Sequence, residues 1–433
     1  MATTFEVVAV EVLVPYSGNA RTHDAKQIGR LIKSIKRFGF LAPILADDQN
    51  RILAGHGRYQ AAQELGLQAV PVVRVSHLTE AERRAYALAD NRLAEDAGWD
   101  DELLKVELEF LMTVDFDVDL TGFTTPEIDV LVHANGEAPE VPIPEAPPTQ
   151  ETVTRLGDLW VLGPHRVACG DCREPKVGAQ LLKGDKAQIV ITDAPYNVPI
   201  AGHVSGLGQH QHAEFEMASG EMSPAQFTDF LSEAIDALAS ACVEGALLYL
   251  FMDWRHLPEL QEACKRLDLT PVNLCVWVKC QGGMGSFYRS QHELVVVVKK
   301  GTAPHINNVE LGKHGRYRTN VWSYPGMNSF GRERDELLAL HPTVKPTSLV
   351  ADAIKDASHI GDIVLDYFLG SGTTVLAAEI CQRRCYGIEI EPNYVDVALL
   401  RWMKLTNQQP VHEETGLTFD ELREQRLSAP QIA

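Results

Sequence analysis

Residues 362–389, DIVLDYFLGSGTTVLAAEICQRRCYGIE, read as a buried strand, a glycine-rich turn, a helix and a second strand, and this stretch decides the fold. Gly370 and Gly372 suit a tight turn where backbone approaches a ligand, while Thr373 and Thr374 open a helix whose N-terminus favours an anion. Glu389 ends the second strand about twenty residues beyond the turn, where a carboxylate can accept both hydroxyls of a ribose. That is the layout of an adenosine-ligand half-site at the carboxyl edge of a doubly wound sheet. A dinucleotide site would run GxGxxG, whereas this turn runs GSGTTV, which disfavours a nicotinamide dehydrogenase. A glycine turn alone is an ordinary strand-to-helix connection; the acid at the right distance makes it a candidate site.

Outward from this segment, QIVITDAP, ALLYLFM, NLCVWVK and ELVVVVKK are further apolar runs of strand length, several separated by amphipathic helices such as AQFTDFLSEAIDALASAC. Runs apolar on both faces imply a parallel sheet covered on both sides. Upstream, residues 134–154, ANGEAPEVPIPEAPPTQETVT, have the proline- and glutamate-rich composition of a solvated linker. Before it, AKQIGRLIKSIKRFG and GRYQAAQELG are helical patterns, the second stopped by Gly66 and followed by the strand-like VPVVRV. The expected division is a small α/β domain at 1–98, a helical connector at 99–133, the linker at 134–154, a doubly wound α/β domain at 155–410 and a C-terminal tail at 411–433.

At 433 residues the chain exceeds what one core usually holds, which agrees with two domains. No apolar run approaches membrane-spanning length, and the start, MATTFEVVAVEV, lacks a secretory pattern, so a cytoplasmic protein without membrane association is expected. The only CxxC runs from Cys169 to Cys172 with no second pair at ligand spacing, so reduced structural cysteines and no metal are expected. A net charge of -20 argues against a generally basic surface, and any nucleic-acid site must be local. Between Lys279 and Lys345 basic residues outnumber acidic ones by about two to one, a bias that steers a polyanion.

QIVITDAPYNV places Asp193 directly after a buried strand, followed by Ala194, Pro195 and the aromatic Tyr196. An exocyclic amine of a base is a poor nucleophile because its lone pair is delocalised into the ring. Two acceptors that take its hydrogens turn that lone pair toward an incoming methyl group. The Asp193 carboxylate and the Ala194 carbonyl can supply them, and Tyr196 offers a face on which a base rotated out of a duplex can stack. Alone, the tetrad is a plausible plain turn; its weight comes from combination with the glycine turn.

Together these residues resemble the DNA amino methyltransferases over about residues 155–405. Asp193–Tyr196 resembles their DPPY tetrad, residues 366–374 their FxGxGT motif, and the tetrad preceding the glycine motif matches the permuted β class. The GDC turn at Gly170, Asp171 and Cys172, GGMGSFYRSQHE at 282–293, and HPTVKP at 341–346 resemble further family segments. The resemblance implies a Rossmann-like methyltransferase domain and S-adenosylmethionine as cofactor. It implies cofactor contacts at Asp171, Cys172, Thr343, Lys345, Asp366, Phe368, Gly370, Gly372, Thr373 and Glu389. Its expected activity is site-specific methylation of adenine N6 in duplex DNA, with cytosine N4 methylation or a catalytically weak DNA-binding regulator or partition-like protein as alternatives. Asp193 leans toward adenine, since cytosine enzymes more often begin the tetrad with serine. Ala194 departs from the family's proline but keeps its carbonyl.

In the β class the target-recognition region lies between these motifs, here about 280–340, and Arg289, Lys313, Arg316, Arg318, Arg332 and Arg334 are the expected DNA contacts, interleaved with Tyr317, Trp322, Tyr324 and Phe330. The glycine- and histidine-rich stretch after Pro199, with His203, His210 and His212, is expected to order over a flipped base rather than to hold a metal. Residues 8–93 resemble the N-terminal domain of ParB-like proteins, with Gly55, His56, Gly57 and Arg58 where a nucleotide-binding GERR-like motif would lie. Without that motif's acid and second arginine, a docking module is expected rather than nucleotide turnover. Double-stranded DNA is the expected partner, a homodimer the assembly considered, and a restriction-modification role the context.

Overall fold

A computed structural model describes residues 3–114, 116–133, 151–198, 220–279, 282, 287–309, 311, 318–324 and 345–428. The chain divides into two compact units, Met1–Ala134 and Asn135–Ala433.

In the first unit, β1 (Thr3–Ala9), β2 (Ile44–Ala46), β3 (Ile52–Ala54) and β4 (Ala69–Val75) form one sheet in the order β1-β4-β2-β3. Helix α1 (Ala25–Phe38) begins where the Asp24 side chain accepts the Gln27 N–H, and it stops at Gly39, whose positive φ of 81° suits glycine. Helix α2 (His56–Glu64) starts from left-handed Gly55, and its buried Ala61 and Ala62 complete a small core with Ile44, Ile52 and Val72. Helix α3 (Glu80–Glu95) opens on a Thr79–Glu82 capping box. Helices α4 (Asp101–Thr113) and α5 (Thr125–His133) follow, so 99–133 is largely helical.

The second unit is built on a ten-stranded sheet of described residues. Its strands are β5 (Leu159–Leu162), β6 (His165–Cys169), β7 (Ala187–Thr192), β8 (Cys242–Met252), β9 (Thr270–Val278), β10 (His292–Lys299), β11 (Val321–Ser323), β12 (Ile363–Asp366), β13 (Arg384–Glu389) and β14 (Val411–His412). The order is β11-β9-β10-β8-β7-β12-β13-β6-β5-β14. Helices α6 (Pro175–Leu182), α7 (Pro224–Ser240), α8 (Leu257–Arg266), α9 (Thr347–Ala357), α10 (Thr373–Ile380), α11 (Pro392–Thr406) and α12 (Phe419–Ser428) accompany it. Two buried apolar layers cover its faces, one including Trp277, Leu349 and Trp402, the other Phe227, Leu248 and Ile388. The expected α/β doubly wound fold is present.

The expectation of a wholly parallel sheet needs correction. Strands β8, β7, β12, β13 and β6 run parallel, but β10 is antiparallel to both β8 and β9, and β5 and β14 each pair antiparallel. An apolar run reports burial on two faces and carries no direction, which the pairing of neighbouring strands sets. Five parallel neighbours place the carboxyl ends of β7, β12, β13 and β6 on one edge, which is where an open α/β sheet presents a ligand site.

Residues 411–428, expected as a tail, supply β14 and α12. Trp160, fully buried, packs against His412 and Phe419, with ring centroids 5.2 and 5.6 Å away. Asp158 beneath it accepts from the Arg155 N–H at 2.8 Å and from Arg426 through both guanidinium amines, with His412 Nε2 at 3.2 Å. Burial pushes the Asp158 carboxyl up, but these donors outweigh it and hold it below the usual range. Arg426→Ala is therefore expected to lose about 3 kcal/mol in chemical denaturation at neutral pH. Because the folded-state pKa is depressed, that contribution is present above the ordinary carboxylate range and fades as pH falls through it. A loss below about 1 kcal/mol at neutral pH would show that the terminal segment is not anchored this way.

Candidate active site

The glycine turn is held by a buried carboxylate. Asp366, the last residue of β12, is 4 % exposed and accepts from Thr192 Oγ1 at 2.8 Å, Thr374 Oγ1 at 2.6 Å and the Phe368 N–H at 3.1 Å. Burial raises its pKa to about 6 against these donors. Its oxygens join the end of β7, the turn and the start of α10. Gly370 and Gly372 have positive φ, 53° and 82°, and a Cβ on Gly372 would lie 2.6 Å from Ala398 Cβ of α11. Arg401, buried on α11, donates to Ser371 O at 2.8 Å and reaches Thr373 Oγ1 at 3.2 Å. The sequence reading overlooked it because an arginine in the last turns of an amphipathic helix looks solvent-facing.

Glu389 ends β13 beside this turn. Its carboxylate accepts the Gly370 N–H at 2.7 Å on one oxygen and the Glu391 N–H at 2.9 Å on the other, which leaves acceptor capacity on both. Burial, opposed by these two N–H groups, pushes its pKa up to about 7. The Gly170 N–H donates to the Glu389 carbonyl at 2.9 Å, bringing the GDC turn alongside. Asp171 is tied to Arg173 at 2.7 Å, and Cys172 is buried, its thiol pushed up to about 12 by desolvation and therefore inert. Phe368 packs on Phe230, with centroids 6.1 Å apart.

At the end of β7 the tetrad leads into a turn fixed by Asn197, in the left-handed region at φ 54°. Its amide accepts from the Gly220 N–H at 3.0 Å and the Met222 N–H at 3.2 Å and donates to Met222 O at 2.8 Å, joining the two flanks of residues 199–219. Tyr196 Oη donates to Asp193 Oδ1 at 2.5 Å and lies 3.2 Å from Glu293 Oε2. Lys345 pairs with Asp193 Oδ2 and lies 3.1 Å from Glu293; Glu293 also pairs with Lys279. The Lys345 ammonium is 5.1 Å from the Phe251 ring centroid and 5.7 Å from that of Tyr196. Lys345, expected at the cofactor, thus meets the tetrad. Glu293 and Lys279 were invisible as partners, since 52 and 66 residues separate them from Lys345 in the chain.

Among the expected DNA contacts, Arg289 is exposed. Arg318 is not available: its guanidinium lies 2.6 Å from Asp356 and 3.3 Å from Asp352, donates to Tyr324 Oη at 3.0 Å and covers Trp322. Of these two acids one turn apart on α9, Asp352 also pairs with Lys355 at 2.7 Å, while the buried Asp356 needs the cation that Arg318 supplies. Trp322 and Tyr324 likewise pack into the sheet's core. Thr343, Lys313, Arg316, Arg332, Arg334, Tyr317, Phe330 and the three loop histidines lie outside the described residues.

In the first unit the GHGR segment forms the start of α2. His56 Nε2 accepts the Tyr16 N–H at 3.3 Å, and burial lowers the pKa of both His56 and Arg58.

With this geometry in place, comparison with known proteins assigns the class. The DNA methylase model matches residues 187–400, the ParB N-terminal domain model residues 2–92 and the ParB-methyltransferase HTH domain model residues 102–156. The chain belongs to the DNA methyltransferases that carry a ParB-like N-terminal domain. It is similar to the ParB-like nuclease domain-containing protein YnaK of Escherichia coli (strain K12), 44 % identical over 75 residues, 17 % of this chain and 86 % of YnaK. It is also similar to the Type II methyltransferase M.HpaI of Haemophilus parainfluenzae, 23 % identical over 231 residues, 50 % of this chain and 68 % of that enzyme. The DNA adenine methyltransferase YhdJ of Escherichia coli (strain K12) is 24 % identical over 245 residues, 51 % of this chain and 77 % of YhdJ. All but the first three residues of the stretch 99–133 read as a helical connector fall within the helix-turn-helix domain match, which helix periodicity alone does not reveal.

The Glu389 pKa gives a test of the site's electrostatics. Its folded-state value near 7 exceeds the ordinary glutamate value of 4.5, so the parent protein loses stability as pH rises through that window. The stability of Glu389→Gln relative to the parent is expected to improve by about 2 kcal/mol from pH 5 to pH 8. A constant difference across that range would show that burial places no such load on this carboxylate.

Proposed function

We propose that this DNA methyltransferase methylates adenine N6 in duplex DNA, using S-adenosylmethionine. The observation that carries the reading is the position of Asp193: a carboxylate opening the tetrad, at the end of β7 and joined through Thr192 and Asp366 to the glycine turn of the adjacent strand. The residues fit the cofactor. Glu389 keeps acceptor capacity for two ribose hydroxyls, the GDC turn abuts it, and the Gly370–Gly372 turn with the N-terminus of α10 suits a carboxylate. When bound, the cofactor supplies an electrophilic methyl group on a sulfonium.

The chain's own part is to prepare the amine. The Asp193 carboxylate and the Ala194 carbonyl accept its two hydrogens, which turns the nitrogen lone pair out of conjugation and toward the methyl donor. The nitrogen releases one proton as the secondary amine forms. The Tyr196 ring, its hydroxyl tied to Asp193 and Glu293, offers a fixed face for a flipped base. The reading of the base as adenine is supported by aspartate rather than serine at this position and by the similarity to YhdJ.

Digestion of methylated duplex DNA to nucleosides, with mass spectrometry, separates N6-methyladenine from N4-methylcytosine. N6-methyladenine alone is expected, with loss of at least about a thousandfold in rate for Asp193→Ala. N4-methylcytosine would overturn the choice of base, and equal incorporation by parent and variant would overturn the catalytic assignment.

A further inference from the structure

We propose that Lys345 is a positioning residue of the methyl-transfer site: an ammonium shared between Asp193 and Glu293, which keeps Asp193 an anion and moves onto Glu293 when a base amine takes Asp193 Oδ2. The inference rests on the reading of Asp193 as an amine acceptor and adds to it a mechanism for keeping that acceptor ready.

The geometry has three parts. First, both oxygens of Asp193 already have donors: Oδ1 receives the Tyr196 hydroxyl and Oδ2 receives Lys345. An amine that needs an Asp193 oxygen must share or displace one of them. The ammonium is the donor with somewhere else to go, because Glu293 lies 3.1 Å from it. Second, Glu293 is itself fixed. It sits on β10, 12 % exposed, and pairs with Lys279 at the end of β9, whose ammonium lies 4.8 Å from the Trp277 centroid. Third, the surroundings are aromatic, with Phe251, Tyr196 and Trp277 all within 6.0 Å of the Lys345 ammonium, so the charge is shielded from water yet keeps favourable cation–π contacts.

The charges along this chain balance. Lys279, Glu293, Lys345 and Asp193 alternate in sign, two of each, and Asp366 is a further acid nearby, its carboxyl pushed up in part by the charge of Asp193. Burial raises the pKa of Asp193, Lys345 lowers it and Glu293 raises it, with a net upward shift. Glu293 is also pushed up by burial, but its two lysines outweigh this and hold it at about 2, so it remains the permanent anion of the set. The two neighbours of Asp193 thus act in opposite directions, which a purely structural role would not require.

Two measurements test this, one of which needs no turnover. Single-turnover methyl transfer at saturating DNA and cofactor is followed from pH 5 to 9 for the parent, Lys345→Met and Glu293→Gln. The carboxyl carbon of Asp193 is titrated by NMR in aspartate-labelled protein, its signal identified by its loss in Asp193→Asn. For Lys345→Met, both the acidic limb of the rate profile and the Asp193 titration are expected to move up by at least about one pH unit. For Glu293→Gln both are expected to move down, with the saturated rate lowered by about tenfold, since the ammonium then has no second anion to receive it, and with little change in DNA KM. Thermal melting identifies a variant that fails to fold, and Lys345→Gln then replaces the methionine variant with the same expected direction. Shifts of the same sign in the two variants, or no shift in either, would overturn the proposal. A parent protein that transfers no methyl group would instead overturn the functional reading, and the titration would still judge this one.

Discussion

The buried carboxylate of Asp366 is the tie on which the site depends. Strand ends in a parallel sheet leave backbone groups without ladder partners, and the loops that follow are free to diverge unless something fixes them. Asp366 fixes three at once: the end of β7 through Thr192, its own turn through the Phe368 N–H, and the start of α10 through Thr374. Glu389 continues the tie to β13 through the Gly370 N–H, and the Gly170 N–H carries it to β6. Four consecutive parallel strands are thereby locked at their carboxyl ends. The tetrad and the glycine turn, nearly 180 residues apart in the chain, become parts of one rigid surface.

That surface is rich in acids, and how each is treated separates its function from its support. Asp366 and Glu389 are satisfied mainly by hydroxyls and backbone N–H groups, which leaves their pKa values raised, at about 6 and about 7. Neutral donors do not repay the full cost of burying a charge. Asp193 instead faces an ammonium. A buried ion pair is a weak source of stability compared with apolar packing, so a lysine beneath the tetrad is better explained by what it does to the carboxylate than by what it adds to the fold.

Much of this was legible in the sequence because the chemistry was local. Gly370, Gly372 and Glu389 lie within one strand-turn-helix-strand unit, where spacing dictates geometry, and the tetrad is contiguous. What could not be read was long-range. The direction of β10 depends on a connection rather than on its own valines. The partners of Lys345 lie on another strand and in another loop. Arg401 and Arg318 look like surface cations until the fold brings Ser371 to one and Asp352 and Asp356 to the other. The segment 411–428 has too few apolar residues to signal a strand and helix, yet Phe419 and Arg426 close over Trp160 and Asp158.

Arg318 bears on how an acidic chain meets DNA. A basic stretch in a protein of net charge -20 invites the inference that its arginines face phosphate, but an arginine flanked in space by two acids one helical turn apart is already neutralised. Withdrawing it would leave the buried Asp356 carboxylate, 2.6 Å from its guanidinium, without that cation, and leaving a buried charge uncompensated is costly. Arg289 differs because it is exposed, close in the chain to Glu293 and free of such a pair among the described residues. Its charge is not drawn into the network that holds Asp193 among the described residues. The division is physical: a cation with a buried acid partner is committed to the sheet and its site, while an exposed one without such a partner keeps its charge for solvent or a ligand.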